Sequence, residues 1–291
     1  MLLVAAALAL AGCSAVRLTY NHGAQLAWWW LDDYLDFPRE QSVAARAAID
    51  RWFDWHRATQ LSGYAALLEA TQAQALEPTN AAAMCRLWAQ ARERLDPALD
   101  RALVLGADLV PGLSDAQLRH LERRYVKNID HLREDYLQPD PAKRQAAALK
   151  RALDRAEQVY GRLGEAQRKV LADGVAASPF DPQAWIRERQ ARQRDTVATL
   201  RRLVEDKADL DARVAALRAL AEHSESSPDP AYRAAQHRLT DYNCALVARL
   251  HNATTAAQRR HARQTLEGWE GDLRALMATA ARSGPAAAHG S

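Results

Sequence analysis

Apolar residues in this chain recur at helical spacing and never for long at strand spacing, which leaves few folds open to it. After Leu113 the residues Leu118, Leu121, Tyr125, Ile129, Leu132 and Tyr136 follow one another at three- and four-residue steps. That spacing puts them on one stripe of an amphipathic helix. No segment sustains the two-residue alternation of a half-buried strand. Helix starts are legible as well. Ser114-Asp115-Ala116-Gln117 and Thr255-Ala256-Ala257-Gln258 read as capping boxes, with Leu113 and Leu118 placed for a hydrophobic staple. Asp140-Pro141 and Asp181-Pro182 each set a capping carboxylate before a proline whose missing N–H costs nothing in the first turn.

Breaks fall at Phe37-Pro38, Glu77 to Asn80, Val110 to Gly112, Gln138 to Pro141, Ser178 to Pro182 and Ser224 to Pro230. The segments between them predict helices of roughly 20 to 35 residues with short connections, hence an all-α fold: an elongated bundle or stacked antiparallel helical hairpins. Asp181 to Glu222 reads as one long helix or as two joined near Lys207. Residues 24–282 are expected to form a single domain, with a soft divide near 138–141 and a flexible tail over 283–291. Hydrophobic residues at 48% supply a core for a domain of that size. The 39 basic and 36 acidic residues are interleaved along the chain rather than massed on one basic face, which argues against nucleic acid as a partner.

The N-terminus carries the signal that most constrains location. Leu2 to Ala11 is an apolar run of ten residues, too short to cross a bilayer and the right size for the core of an export signal. It ends in Leu10-Ala11-Gly12-Cys13, which resembles the lipobox of bacterial lipoprotein precursors: a branched apolar residue, two small ones, then cysteine. That resemblance implies a signal over 1–12 that is cleaved, a lipidated Cys13, and a short linker over 13–23. It departs from the usual pattern in having no Lys or Arg before the apolar run. Ser14 after the cysteine resembles the pattern of lipoproteins released to the outer membrane, so the expected address is the periplasmic face of that membrane.

An aromatic cluster follows. Tyr20-Asn21 is succeeded by Trp28-Trp29-Trp30, Asp33-Tyr34, Gln41, Trp52, Trp55-His56-Arg57 and Tyr64; five of the 8 tryptophans lie between positions 28 and 55. With the lipobox, these motifs resemble a family of uncharacterised proteobacterial lipoproteins, whose marks are Tyr-Asn soon after the cysteine, a Trp-rich run ending in Asp-Asp-Tyr, a Gln, and Trp-His-Arg one helix later. The resemblance extends to Asp135-Tyr136-Leu137 with Pro139 and Pro141, and to Pro230-Ala231-Tyr232-Arg233. It implies an address and an all-α topology but no reaction. The bland reading of the cluster is a core joining the first helices, with Asp33, Tyr34 and His56 satisfying buried hydrogen bonds. The sharper readings are a membrane-facing Trp28 to Trp30, or a binding surface built from Tyr20, Asn21, Trp30, Asp33, Tyr34, Trp55 and His56.

Signatures of catalysis are missing from the sequence. It carries no His-Glu-x-x-His, no glycine-rich phosphate loop and no Gly-x-Ser-x-Gly elbow. His120 and His131 stand eleven apart and read as partly exposed helix residues. Asp32, Asp33 and Asp36 crowd within two helical turns, unlike carboxylates set across a cleft. No metal, cofactor or catalytic residue is therefore expected. Arg187, Arg189, Arg192, Arg194, Arg201 and Arg202 form a basic stretch that reads as a solvated helix face with i,i+4 pairing, or else as a contact for anionic headgroups or an acidic partner. Cys85 and Cys244 fall in predicted helices; an oxidising compartment would permit a bond, but nothing in the sequence brings them together, and buried free cysteines are common. Finally, Leu113 to Leu118, Leu163 to Arg168 and Thr255 to Gln258 are faintly repetitive and resemble the Leu-Thr-x-x-Gln turns of Spy/CpxP-type periplasmic chaperones, although capping boxes generate the same letters. The expected function is a non-enzymatic structural or interaction protein held at the membrane by its N-terminal lipid, with envelope proteins as partners. The alternative is a periplasmic chaperone or stress factor.

Overall fold

The computed structural model describes residues 15–283. The expected signal over 1–12, the expected lipid attachment at Cys13 and residues 284–291 of the expected tail lie outside the described residues; Ser283, placed in that tail by the sequence, ends the last helix. Twelve α-helices and one 3₁₀ turn account for nearly all of the rest, with no strand among the described residues. In chain order they are α1 (Ala15–Asn21), α2 (Gly23–Leu35), α3 (Arg39–Thr59), α4 (Leu61–Gln74), α5 (Ala81–Ala107), the 3₁₀ turn Val110–Gly112, and α6 (Asp115–Tyr136). Then come α7 (Pro141–Tyr160), α8 (Glu165–Ala176), α9 (Pro182–Glu205), α10 (Leu210–Glu225), α11 (Pro230–Asn252) and α12 (Ala256–Ser283).

The helices begin where side chains can accept the orphan N–H groups of a first turn. Asn80, Ser114, Asp140, Asp181, Asp209 and Asp229 each accept such a bond. Left-handed residues end two of them: Asp36 at φ 47° closes α2, and Lys207 at φ 49° separates α9 from α10. The stretch from Asp181 to Glu222 is thus two helices.

The segment 13–23, expected as a linker, is helical from Ala15 onward. It holds no proline, and its one glycine is not a hinge. A Cβ on Gly23 would lie 2.5 Å from Cε1 of Phe53, so the glycine lets the start of α2 press against α3. Arg17 on α1 reaches the buried Asp272 on α12 at 3.0 Å. The last helix therefore packs on the first, and its most extensive partner is α4. Gln72 donates to Glu270 and Arg274 pairs with Glu69 across that seam. Hairpins between sequence neighbours are only part of the architecture.

Two apolar cores result. One gathers Trp28, Phe37, Leu118, Leu121, Val197 and Leu200 from α2, α6, α9 and the α2–α3 turn. The other joins Ala156, Leu163, Leu171 and Leu250 from α7, α8, α11 and the α7–α8 turn. The break at 138–141 separates α6 from α7, but α9 returns to the first core, so no cut at that point divides the chain cleanly. Helix α5 packs on both α10 and α11, and a disulfide between Cys85 and Cys244 fastens it to α11, with Cα atoms 5.3 Å apart.

Four glutamines pin the turns to one another. Each sits at the third position of its helix. Gln117 accepts from the Ser114 N–H and donates its amide to Leu35 O at 3.0 Å and to Gln41 Oε1 at 2.8 Å. Gln41 in turn donates to Gly112 O. At the second core, Gln167 donates to Ala253 O at 2.7 Å while Gln258 donates to Arg162 O at 3.0 Å. Each pair of turns is therefore cross-tied in both directions. The carbonyls of a tight turn lack helical partners, and a capping glutamine with a spare amide supplies one. The chaperone-like letters around Gln117, Gln167 and Gln258 thus have a structural job in this fold.

Candidate functional site

The seven residues expected to form a binding surface separate into two places. Tyr20, Asn21, Trp55 and His56 meet where α1, α3 and α4 converge. Trp30, Asp33 and Tyr34 lie on the second half of α2, about 10 to 16 Å along the helix from its start at 1.5 Å per residue.

In the first place His56 is buried, stacked on Trp52 with ring centroids 4.5 Å apart. Its Nδ1 meets Tyr20 Oη at 2.8 Å and its Nε2 meets Tyr64 Oη at 3.2 Å. Burial lowers its pKa to about 4, so the ring is neutral at pH 7. A neutral imidazole has one donor and one acceptor nitrogen, and each is matched by a phenol, which can play either part. Arg57 lies over the Tyr20 ring and reaches Asn21, while Arg101 lies over Trp55. Both ring nitrogens of His56 are taken. The cluster knits α1 to α3 and α4, as the bland reading expected for His56. A second histidine repeats the device: His251 is buried, its Nε2 bonds Glu77 O at 2.8 Å, and its Nδ1 meets Tyr160 Oη at 2.9 Å. A carbonyl only accepts, so Nε2 carries the proton and Tyr160 donates to Nδ1. This histidine carried no sequence signal, because its partners come from other helices.

The second place is open. Trp28 is 5% exposed, stacked on Phe37 with Arg46 over its face, whereas Trp29 and Trp30 are 59% and 62% exposed. The Trp triplet therefore divides between core and surface. Asp33 is exposed and paired with Arg124 of α6, not buried as the core reading supposed. His120 bonds Asp33 O at 3.0 Å. Tyr34 meets Trp30 at 4.9 Å and Tyr125 at 6.0 Å between centroids. These rings border a cavity of about 370 Å³ between α2, α6 and α9, with Leu31, Leu35, Leu121 and Leu200 also in its lining.

Arg189 and Arg192 reach the same cavity. The basic stretch is thus only partly a solvated face. Arg187, Arg194 and Arg202 are exposed, Arg201 pairs with Glu122, and Arg192 pairs with Glu188 one turn back. Arg189 points its Nε at Asn128 Oδ1, 3.4 Å away. Tyr125, read from the sequence only as a helix position, belongs to the site because α9 packs along α6. His131 is exposed beside Glu134. Among the described residues no three His, Cys, Asp or Glu side chains could together hold a metal ion, and no helix is long and apolar enough to cross a membrane.

The model of a family of unknown function, DUF6279, matches residues 33–233. The chain belongs to that family. The DUF6279 match takes in Asp33, Tyr34, Tyr125, Arg189 and Arg192, together with Trp55, His56 and Cys85. It leaves Tyr20, Asn21, Trp30 and Cys244 outside. No curated protein and no solved structure matches the chain.

Proposed function

We propose that this DUF6279 protein is a lipoprotein of a proteobacterial envelope, anchored through Cys13 to the periplasmic face of the outer membrane and acting as a binding or structural module rather than an enzyme. The observation that carries the reading is the Cys85–Cys244 disulfide, which joins residues 159 apart. Such bonds persist in oxidising compartments and are rare in a reducing cytosol. An exported chain whose apolar leader ends in Leu-Ala-Gly-Cys satisfies both facts at once. Exposed Leu18, Leu26, Trp29 and Trp30 on α1 and α2 support the anchor as well, since helix α1 starts two residues after Cys13. A non-enzymatic role is supported by the two histidines of lowered pKa, whose nitrogens are all engaged within the fold.

The test is metabolic labelling with palmitate, together with thiol alkylation of unreduced cells. Label on the wild type and none on Cys13→Ala is the expected pattern, with Cys85 and Cys244 protected from alkylation until reductant is added. A Cys13→Ala protein that still labels and pellets with membranes refutes the anchor. Free Cys85 and Cys244 in unreduced cells refute the compartment. The chaperone alternative is tested by aggregation of a reduced client protein, with suppression by equimolar protein the result that would favour it.

A further inference from the structure

We infer that the cavity between α2, α6 and α9 binds an amphipathic organic anion, a carboxylate or phosphate ester with an apolar tail, and that Arg189 holds its charged end. The inference does not depend on the lipid anchor. It rests on an imbalance of charge within an apolar setting. The other arginine lining this cavity has a carboxylate of its own: Arg192 lies 3.6 Å from Glu188 while also donating to Ser224 O. Arg124, over the Tyr34 ring beside it, pairs with Asp33. Arg189 is half-buried and has no acid within ion-pair distance among the described residues; one long bond to a neutral amide is its hydrogen bonding. A guanidinium offers five donors in a planar fork suited to a carboxylate or phosphate, and most of this fork is unspent.

The other groups facing Arg189 fit the same ligand. Gln193 brings an amide and Tyr125 a phenol to the cavity, while the Thr196 hydroxyl on its wall donates to Arg192 O at 2.9 Å. Below them the lining is leucine and aromatic ring, which suits a hydrocarbon and not a sugar or a bare ion. A second groove of about 410 Å³ lies on the same pair of helices, sharing Tyr125 and Gln193 and adding Val126, Ile129 and Val197. Val126 there is 62% exposed. A tail leaving the first cavity has an apolar path to follow. With one unpaired cation and an apolar floor, the site needs both ends of an amphiphile. Inorganic phosphate alone gains too little.

The experiment uses the chain from Ser14 onward, which keeps every described helix, and calorimetric titration with decanoate below its micelle concentration. Decanoate is expected to bind saturably at one site. Arg189→Gln weakens it at least tenfold, which corresponds to about 1.4 kcal/mol. Arg189→Lys keeps most of the affinity, and Arg187→Gln, an exposed position on the same helix, changes nothing. Decanol binds at least tenfold more weakly than decanoate, and inorganic phosphate does not compete. Each titrated variant is first shown to keep the wild-type melting temperature. Displacement of decanoate by phosphatidylglycerol vesicles would identify the ligand as a bilayer headgroup; no displacement would identify it as a free acid. Equal binding of decanoate and decanol, unchanged affinity in Arg189→Gln, or no saturable binding overturns the inference.

Discussion

Replacing Cys85 and Cys244 together by alanine removes the one covalent tie between α5 and α11 while leaving the helices themselves untouched. The loop it closes spans 159 residues, more than half the chain. On the chain-entropy account, a loop of that length restricts the unfolded state by about 17 cal/mol/K, or about 5 kcal/mol at 25 °C. Losses of native disulfides run at about 2 to 5 kcal/mol, and the long loop puts this one toward the upper end. For a domain of this size each kcal/mol moves the melting temperature by roughly 2 to 4 °C, so a fall of about 10 °C is expected. Because the effect acts through the unfolded chain, the far-ultraviolet circular dichroism of the double variant at 25 °C should match that of the wild type. The urea m-value should rise, since a chain without the cross-link exposes more surface when unfolded. Thermal and urea unfolding of the wild type, the double variant and the reduced wild type measure all three quantities. A melting temperature within about 2 °C of the wild type would refute the reasoning, as would a double variant that is already unfolded at 25 °C.

Three other outcomes follow from single contacts. His56 titrates near 4 in the fold and near 6.5 when unfolded, so between those values the unfolded chain binds more protons and stability falls as pH is lowered. Allowing for solvent screening, the loss from pH 7 to pH 4 is about 2 kcal/mol; urea unfolding across that range should show a shallower dependence in His56→Gln, and an unchanged slope would count against the buried neutral ring. Gln117→Leu removes the side-chain partner of the Ser114 N–H, Leu35 O and Gln41 Oε1 in one step, and chemical unfolding should register a loss of about 2 to 3 kcal/mol. Gly174→Ala would set a Cβ 2.3 Å from Leu246 Cδ1, costing about 1 to 3 kcal/mol by thermal unfolding, and Leu246→Ala in the same chain should make that glycine change nearly neutral.

The local chemistry of this protein is written along its chain, and its meetings are not. Capping boxes at Ser114 and Thr255, proline-led starts at Pro141 and Pro182, and the apolar stripe from Leu118 to Tyr136 act within one or two helical turns. Reading them therefore needed only neighbouring letters, and the all-α fold followed. Even the division of Asp181 to Glu222 near Lys207 was visible as one of two readings. Tertiary packing decided the rest. It split the aromatic cluster between the closed His56 set and the open cavity at Trp30 and Tyr34. It folded the stretch after Cys13 into α1 by returning α12 to the start of the chain, and it brought Cys85 to Cys244. It also turned Arg189, one of six arginines alike in sequence, inward beside Tyr125. Hydrogen-bond capping falls off within a turn, whereas burial and pairing depend on which helices lie side by side, and that choice is made by apolar area summed over residues far apart in the chain.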